Sequence, residues 1–189
     1  MNNTEISHII IRILTELNIK DICISPGARN SPIISACSNI KINMHSILDE
    51  RVAGFYALGM AKKYNNPVAL SCTSGTALAN LFPAIIEARM SETPLILISA
   101  DRPEKNIGKG DNQTIYQDNI YGNYMVNFKN INPIQDNLES ISEKVSQAVY
   151  NSIGIKKGKT ISEKGPVHIN VHFEEPLISQ NKLESNQIK

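Results

Sequence analysis

The chain has 189 residues and a formal charge of +1, a size suited to one α/β domain whose core needs no disulfides. With 41% hydrophobic and 20% charged residues it is not a disordered polymer, and 19 basic against 18 acidic side chains exclude a basic nucleic-acid surface. No apolar run reaches the ~18 residues of a membrane-spanning helix, and the start lacks the basic region of a signal peptide.

Ile6, Ile9, Ile10, Ile13, Leu14 and Leu17 share one helical face, with Thr4 as the cap and Asn18 as the stop. Residues 21–25 form a short β-branched strand ending at Pro26-Gly27, and Ser31-Pro32 opens a short helix to about residue 38. A second strand, 42–48, runs into Asp49-Glu50-Arg51 and a helix rich in small residues. Residues 67–73 form a third strand, then Ser74-Gly75-Thr76 leads a helix to about Met90. The run 94–100 is almost wholly apolar, as a central parallel strand should be. A Gly/Asn/Asp-rich loop spans about 104–113, a further strand 125–131, a helical stripe 138–153 and a last strand 166–173. Residues 178–189 are polar and aperiodic, and read as a tail or the start of an interdomain linker. Cys23, Cys37 and Cys72 lack metal-site spacing and read as buried free thiols in a reducing, cytoplasmic compartment.

Strand–helix alternation of this kind predicts an α/β domain over residues 1–177, with a parallel sheet covered on both faces. Ligands bind such sheets beyond the carboxyl ends of the strands. The unusual residues gather there: Pro26, Gly27, Ala28 and Arg29 after the first strand, Glu50 after the second, Thr73–Gly75 after the third, Arg102 after the fourth. Each motif alone has a plainer reading. Arg29 and Arg102 can pair a carboxylate ligand or be solvated; an acidic residue at 49 or 50 can cap a helix or do chemistry; Ser74-Gly75 can be a tight turn or an anion cradle. A carboxylate at the seam of a small-residue helix is also a candidate for partial desolvation, which favours its protonated form. His168 and His172 fall on one face of the last strand; with no third ligand in view they read as structural, and no metal site is expected in this chain.

Together these motifs resemble the N-terminal, pyrimidine-binding domain of the 2-succinyl-5-enolpyruvyl-6-hydroxy-3-cyclohexene-1-carboxylate synthases, thiamine-diphosphate enzymes of menaquinone biosynthesis. The resemblance is carried by CISPGARNSP (23–32), DER (49–51), ALGMAK (57–62), TSGTA (73–77), NLFPA (80–84), SADRP (99–103), NQ (112–113) and VHIN (167–170). It implies a three-layer α/β/α fold with a six-stranded parallel sheet. It implies decarboxylation of 2-oxoglutarate and addition of the succinyl unit to isochorismate, with Glu50 as the catalytic acid at the cofactor's pyrimidine. Pro26, Gly27, Thr73 and Asn80 would line the cofactor pocket; Ala28, Arg29, Arg102, Asn112 and Gln113 would meet substrate. Thiamine diphosphate would be shared with the C-terminal diphosphate-binding domain of a second subunit in a homo-oligomer. Mg2+ or Mn2+ would be bound by that domain, whose Gly-Asp-Gly…Asn motif does not occur in these 189 residues. The chain alone is therefore expected to be inactive. Two other readings stay open: a stand-alone binding or regulatory domain of this fold, and an acetohydroxyacid synthase-like carboligase domain. Two departures stand out. Ala28 occupies a position that is commonly serine, leaving only its backbone N–H for a ligand, and 154–165 is a long basic loop expected to form a solvated hairpin.

Overall fold

A computed structural model of the chain describes residues 1–156, 159–160 and 163–178. Period-two alternation in the strands decides how its layers assemble. In β1 (Asp21–Ile24), Ile22 and Ile24 face one way and Cys23 the other; in β3 (Val68–Cys72), Ala69 opposes Leu70 and Cys72. Ile96, Ile98 and Ala100 of β4 (Leu95–Asp101) join the first face, and Leu95 and Leu97 the second. Helices α1 (Asn3–Glu16), α2 (Ser31–Asn39) and α5 (Leu138–Ser152) cover the first face. Helices α3 (Glu50–Tyr64) and α4 (Thr76–Met90) cover the second.

With β2 (Asn43–Ser46), β5 (Asn127–Ile131) and β8 (Val167–His172), the strands form one six-stranded sheet in the order β2-β1-β3-β4-β8-β5, every pairing parallel. The expected three-layer α/β/α fold is therefore present. The small residues of α3 have a physical reason: a Cβ on Gly54 would lie 2.7 Å from Ala84 Cβ, so α3 and α4 meet nearly backbone to backbone.

Several boundaries differ from the sequence expectation. Asn2, not Thr4, caps α1, because Asn2 and Glu5 form a reciprocal capping box with both bonds at 2.9 Å. Asn18 does sit past the helix end, in the left-handed region at φ 63°. The cap of α2 falls on Asn30 rather than Ser31. The β2 and β5 ladders are shorter than the apolar runs that announced them. Of the 154–165 loop, β6 (Ile155–Lys156) and β7 (Lys159–Thr160) pair antiparallel as the expected hairpin, while 157–158 and 161–162 lie outside the described residues. Of the polar tail, 179–189 also lie outside them. All three cysteines are buried and free; burial pushes the Cys23 and Cys37 thiols up to about 12, so neither is a ready nucleophile.

Candidate functional site

The strand order places a switch point between β1 and β3. From β1 the chain leaves toward α2 on one face, and from β3 it leaves toward α4 on the other, so the two turns diverge and open a crevice. At its floor the turns touch. A Cβ on Gly27 would lie 2.4 Å from Thr73 Cβ, so only glycine lets the β1 turn close on the β3 turn. Pro26 is exposed beside it and Thr73 is buried.

The β2–α3 junction divides its two carboxylates by task. Asp49 is the N-cap: its side chain accepts from Val52 N–H at 2.9 Å and its carbonyl from Ala53 N–H. Capping is thereby satisfied without Glu50, the first residue of α3. Glu50 is half-buried, and its Oε2 accepts from Asn80 Nδ2 of α4 at 3.1 Å. Its charge also reaches Cys72 at the end of β3, where burial first and Glu50 second push the thiol's pKa up. Next to Glu50, Leu48, Val52, Phe55 and Tyr56 present large apolar side chains to solvent.

The loop after β4 latches onto the β3–α4 turn. Gln113 Nε2 donates to Ser74 O and Ser74 Oγ donates back to Gln113 O, both at 2.9 Å. Gly75, at φ 82°, allows this approach, since a Cβ there would meet Gln113 Cγ at 2.8 Å. Arg102 spends Nε and one terminal N–H on the Asn112 carbonyl, at 3.1 and 2.8 Å. Arg102, Asn112 and Gln113 are thus brought together, against the turn that carries Thr73. Ala28 is exposed, and its carbonyl accepts from Ser31 N–H.

Arg29 bonds instead to the segment after β8. It is buried, donating to Phe173 O at 3.0 Å and to Glu175 Oε1 at 2.8 Å. Its carboxylate partner comes from 146 positions along the chain. The Glu175 side chain is 68% exposed, so the pair sits at an accessible edge.

Asp101 and Asn170 belong to the SADRP and VHIN motifs but carried no assigned role, and Gln117 belonged to no motif, yet all three are wholly buried: Asp101 at the end of β4, Asn170 within β8 and Gln117 on the loop between β4 and β5. Burial pushes the Asp101 carboxyl up to about 6, against the opposing pull of Asn170, His172 and Arg29. Burial also drives His168 down to about 3, so it is neutral; it packs edge-on to Tyr121 and close to Phe128. Asp101, Asp118 and His172 hold ligand-type atoms within 4.8 Å of one another. Those groups are already engaged: Asp101 with Asn170 and the Arg102 N–H, Asp118 with Asn130, His172 with the Arg102 carbonyl. The only signal for this cluster in the sequence is the polar alternation His168, Asn170, His172 along an otherwise apolar strand.

The known proteins most informative for this geometry are a domain family and a set of longer enzymes. Residues 4–121 match the family described as thiamine pyrophosphate enzyme, N-terminal TPP binding domain. A protein of Flavobacterium psychrophilum named 2-succinyl-5-enolpyruvyl-6-hydroxy-3-cyclohexene-1-carboxylate synthase is 45% identical over 169 residues, covering 89% of this chain and 29% of that protein. Proteins of the same name from Christiangramia forsetii and Actinobacillus succinogenes are 43% and 40% identical, covering 89% and 96% of this chain. The chain spans about three-tenths of the length of these relatives. The switch-point crevice, the carboxylate at its rim and this match agree: the chain belongs to the thiamine pyrophosphate enzymes, as their N-terminal TPP binding domain.

Proposed function

We propose that this chain is the pyrimidine-side half of a synthase that decarboxylates 2-oxoglutarate and adds the succinyl unit to isochorismate, in cytoplasmic menaquinone biosynthesis. The observation that carries the reading is Glu50: a half-buried carboxylate at the switch-point edge, relieved of capping by Asp49 and braced by Asn80. The names borne by the relatives supply the substrate class. They also favour this reading over a stand-alone binding domain or an acetohydroxyacid synthase-like carboligase.

The residues fit the cofactor's pyrimidine end. Pro26, Gly27 and Thr73 gather where the β1 and β3 turns meet, and Glu50 pairs with Asn80 where α3 meets α4. Thiamine diphosphate, when bound, supplies the electron sink for decarboxylating a 2-oxo acid. Glu50 would hold a proton against a pyrimidine ring nitrogen, and the bond from Asn80 leaves its other carboxylate oxygen for that contact. Arg102, with Asn112 and Gln113, offers donors for a carboxylate and a hydroxyl of the acceptor. Arg29 joins them by exchanging Glu175 for a substrate carboxylate. The apolar side chains beside Glu50 suit the C-terminal diphosphate-binding domain of a second subunit in a homo-oligomer, and Mg2+ or Mn2+ belongs to that domain. Residues 1–177 form the pyrimidine domain, and 178–189 begin the linker.

The test is turnover with thiamine diphosphate, Mg2+, 2-oxoglutarate and isochorismate, for the chain alone and with the diphosphate-binding domain supplied. The expected result is no turnover alone and product formation with the second domain. Turnover by the chain alone would contradict the shared site. A preference for pyruvate as donor and acceptor, with isochorismate ignored, would move the assignment to the acetohydroxyacid synthase type.

A further inference from the structure

The VHIN run of β8 has no part in the site as described, yet Asn170 lies at the centre of a buried hydrogen-bond chain that ends on both sides of that site. The chain starts at the Gly75 backbone N–H, the N-cap of α4, which donates to Gln117 Oε1 at 2.9 Å. A backbone N–H can only donate, so the Gln117 amide has one allowed orientation. Its Nε2 therefore donates onward, to Asn170 Oδ1 at 2.9 Å and to Ala100 O at 3.3 Å. This fixes Asn170 in turn. Its Oδ1 also accepts from Ser99 Oγ at 2.7 Å, and its Nδ2 donates to Asp101 Oδ2 at 2.9 Å and to Asn130 Oδ1 at 3.2 Å. Asp101 Oδ1 accepts from Arg102 N–H at 2.7 Å, and His172 Nδ1 donates to the Arg102 carbonyl at 2.5 Å.

The direction of every bond is thus set, from the turn beside Thr73 to both backbone polar groups of Arg102. Ser99, Asp101, Gln117 and Asn170 are all wholly buried, and in such surroundings a mispaired amide is costly. Gln117 is the member contributed by the loop that carries Asn112 and Gln113. Between the β4 edge and Gln117, that loop is long and largely exposed, with little apolar burial of its own to hold it.

We infer that Gln117 is a positioning residue: through Gly75 and Asn170 it sets the loop bearing Asn112 and Gln113, and with it Arg102, against the cofactor-side turn. The inference rests on the reading that Arg102, Asn112 and Gln113 meet the acceptor substrate. Gln117 touches neither cofactor nor substrate; it decides where the residues that do are held.

The test compares wild type with Gln117→Met, equal in length and unable to bridge, and with Gln117→Asn, which keeps the amide and cannot span both partners. Hydrogen exchange is read on the amides of residues 104–116. Kinetics are read on the protein together with its diphosphate-binding domain. The expected result is exchange faster by about tenfold in that loop. KM for the acceptor should rise about tenfold, while kcat changes less than about threefold and thiamine diphosphate affinity less than about twofold. Unchanged loop exchange with unchanged KM overturns the inference. So does a lowered melting temperature with both unchanged, which is what a packing role alone would give. If wild type turns over none of the proposed substrates, the proposed function fails instead, and the exchange measurement still decides whether Gln117 holds the loop.

Discussion

After β1, β2 and β3 the sheet edge leaves its chemistry accessible: Pro26 and Asn80 are exposed, and Glu50 is half-buried with Asn80 of α4 on one carboxylate oxygen. Behind β4 and β8 the same edge buries a set of polar side chains. Asp101, Gln117, Asn170 and His172 bond to one another and to backbone groups. A carboxylate in the first half keeps capacity for a ligand, because Asp49 has taken over capping. A carboxylate in the second half has both oxygens committed and acts as a frame. Burial and committed hydrogen bonds, rather than residue type, thus separate support from chemistry along one sheet edge.

Two experiments probe that contrast. The larger effect belongs to Asp101. Its folded-state pKa of about 6 lies above the ordinary value of 3.8, so the folded state binds the proton more tightly. That contribution is complete below about pH 4 and is lost as pH rises through 6. Stability is therefore expected to fall between pH 4 and 6 by up to about 3 kcal/mol from this group. Urea unfolding of wild type and Asp101→Asn across that range checks it. The variant is expected to lose this part of the slope, whatever its overall stability; an unchanged slope would remove Asp101 from the frame as a buried carboxylate. The smaller effect is at the open half. Gly27→Ala drives a Cβ to 2.4 Å from Thr73 Cβ, and a destabilisation of about 2 kcal/mol is expected as the turns part. Adding Thr73→Gly should recover part of it, read as a coupling energy in a double-mutant cycle. Additive losses would show that the two turns do not depend on each other.

Much of this was legible in the residues themselves. The short apolar and β-branched runs alternating with 3.6-period helices announced the parallel sheet, and the breaks at Pro26-Gly27 and Ser74-Gly75 marked its functional edge, because those signals are local. The frame was not legible in the same way. His168, Asn170 and His172 stand out by alternation, but their partners on β4 and on the following loop are chosen by strand order, which no local pattern encodes. Arg29 illustrates the same limit: from its turn it reads as ligand-binding or solvated, and its partner Glu175 arrives from the far end of the chain. Asp49 and Glu50 were indistinguishable as caps until the geometry gave the Val52 N–H to Asp49.

If Glu50 is the working carboxylate of the open edge, kcat of Glu50→Gln reports it, in the protein assembled with its diphosphate-binding domain and saturated with thiamine diphosphate. A fall of about 100-fold or more is expected. The melting temperature of the chain should stay unchanged, since glutamine still accepts from Asn80 and Asp49 still caps α3. Turnover close to wild type would contradict that role for Glu50.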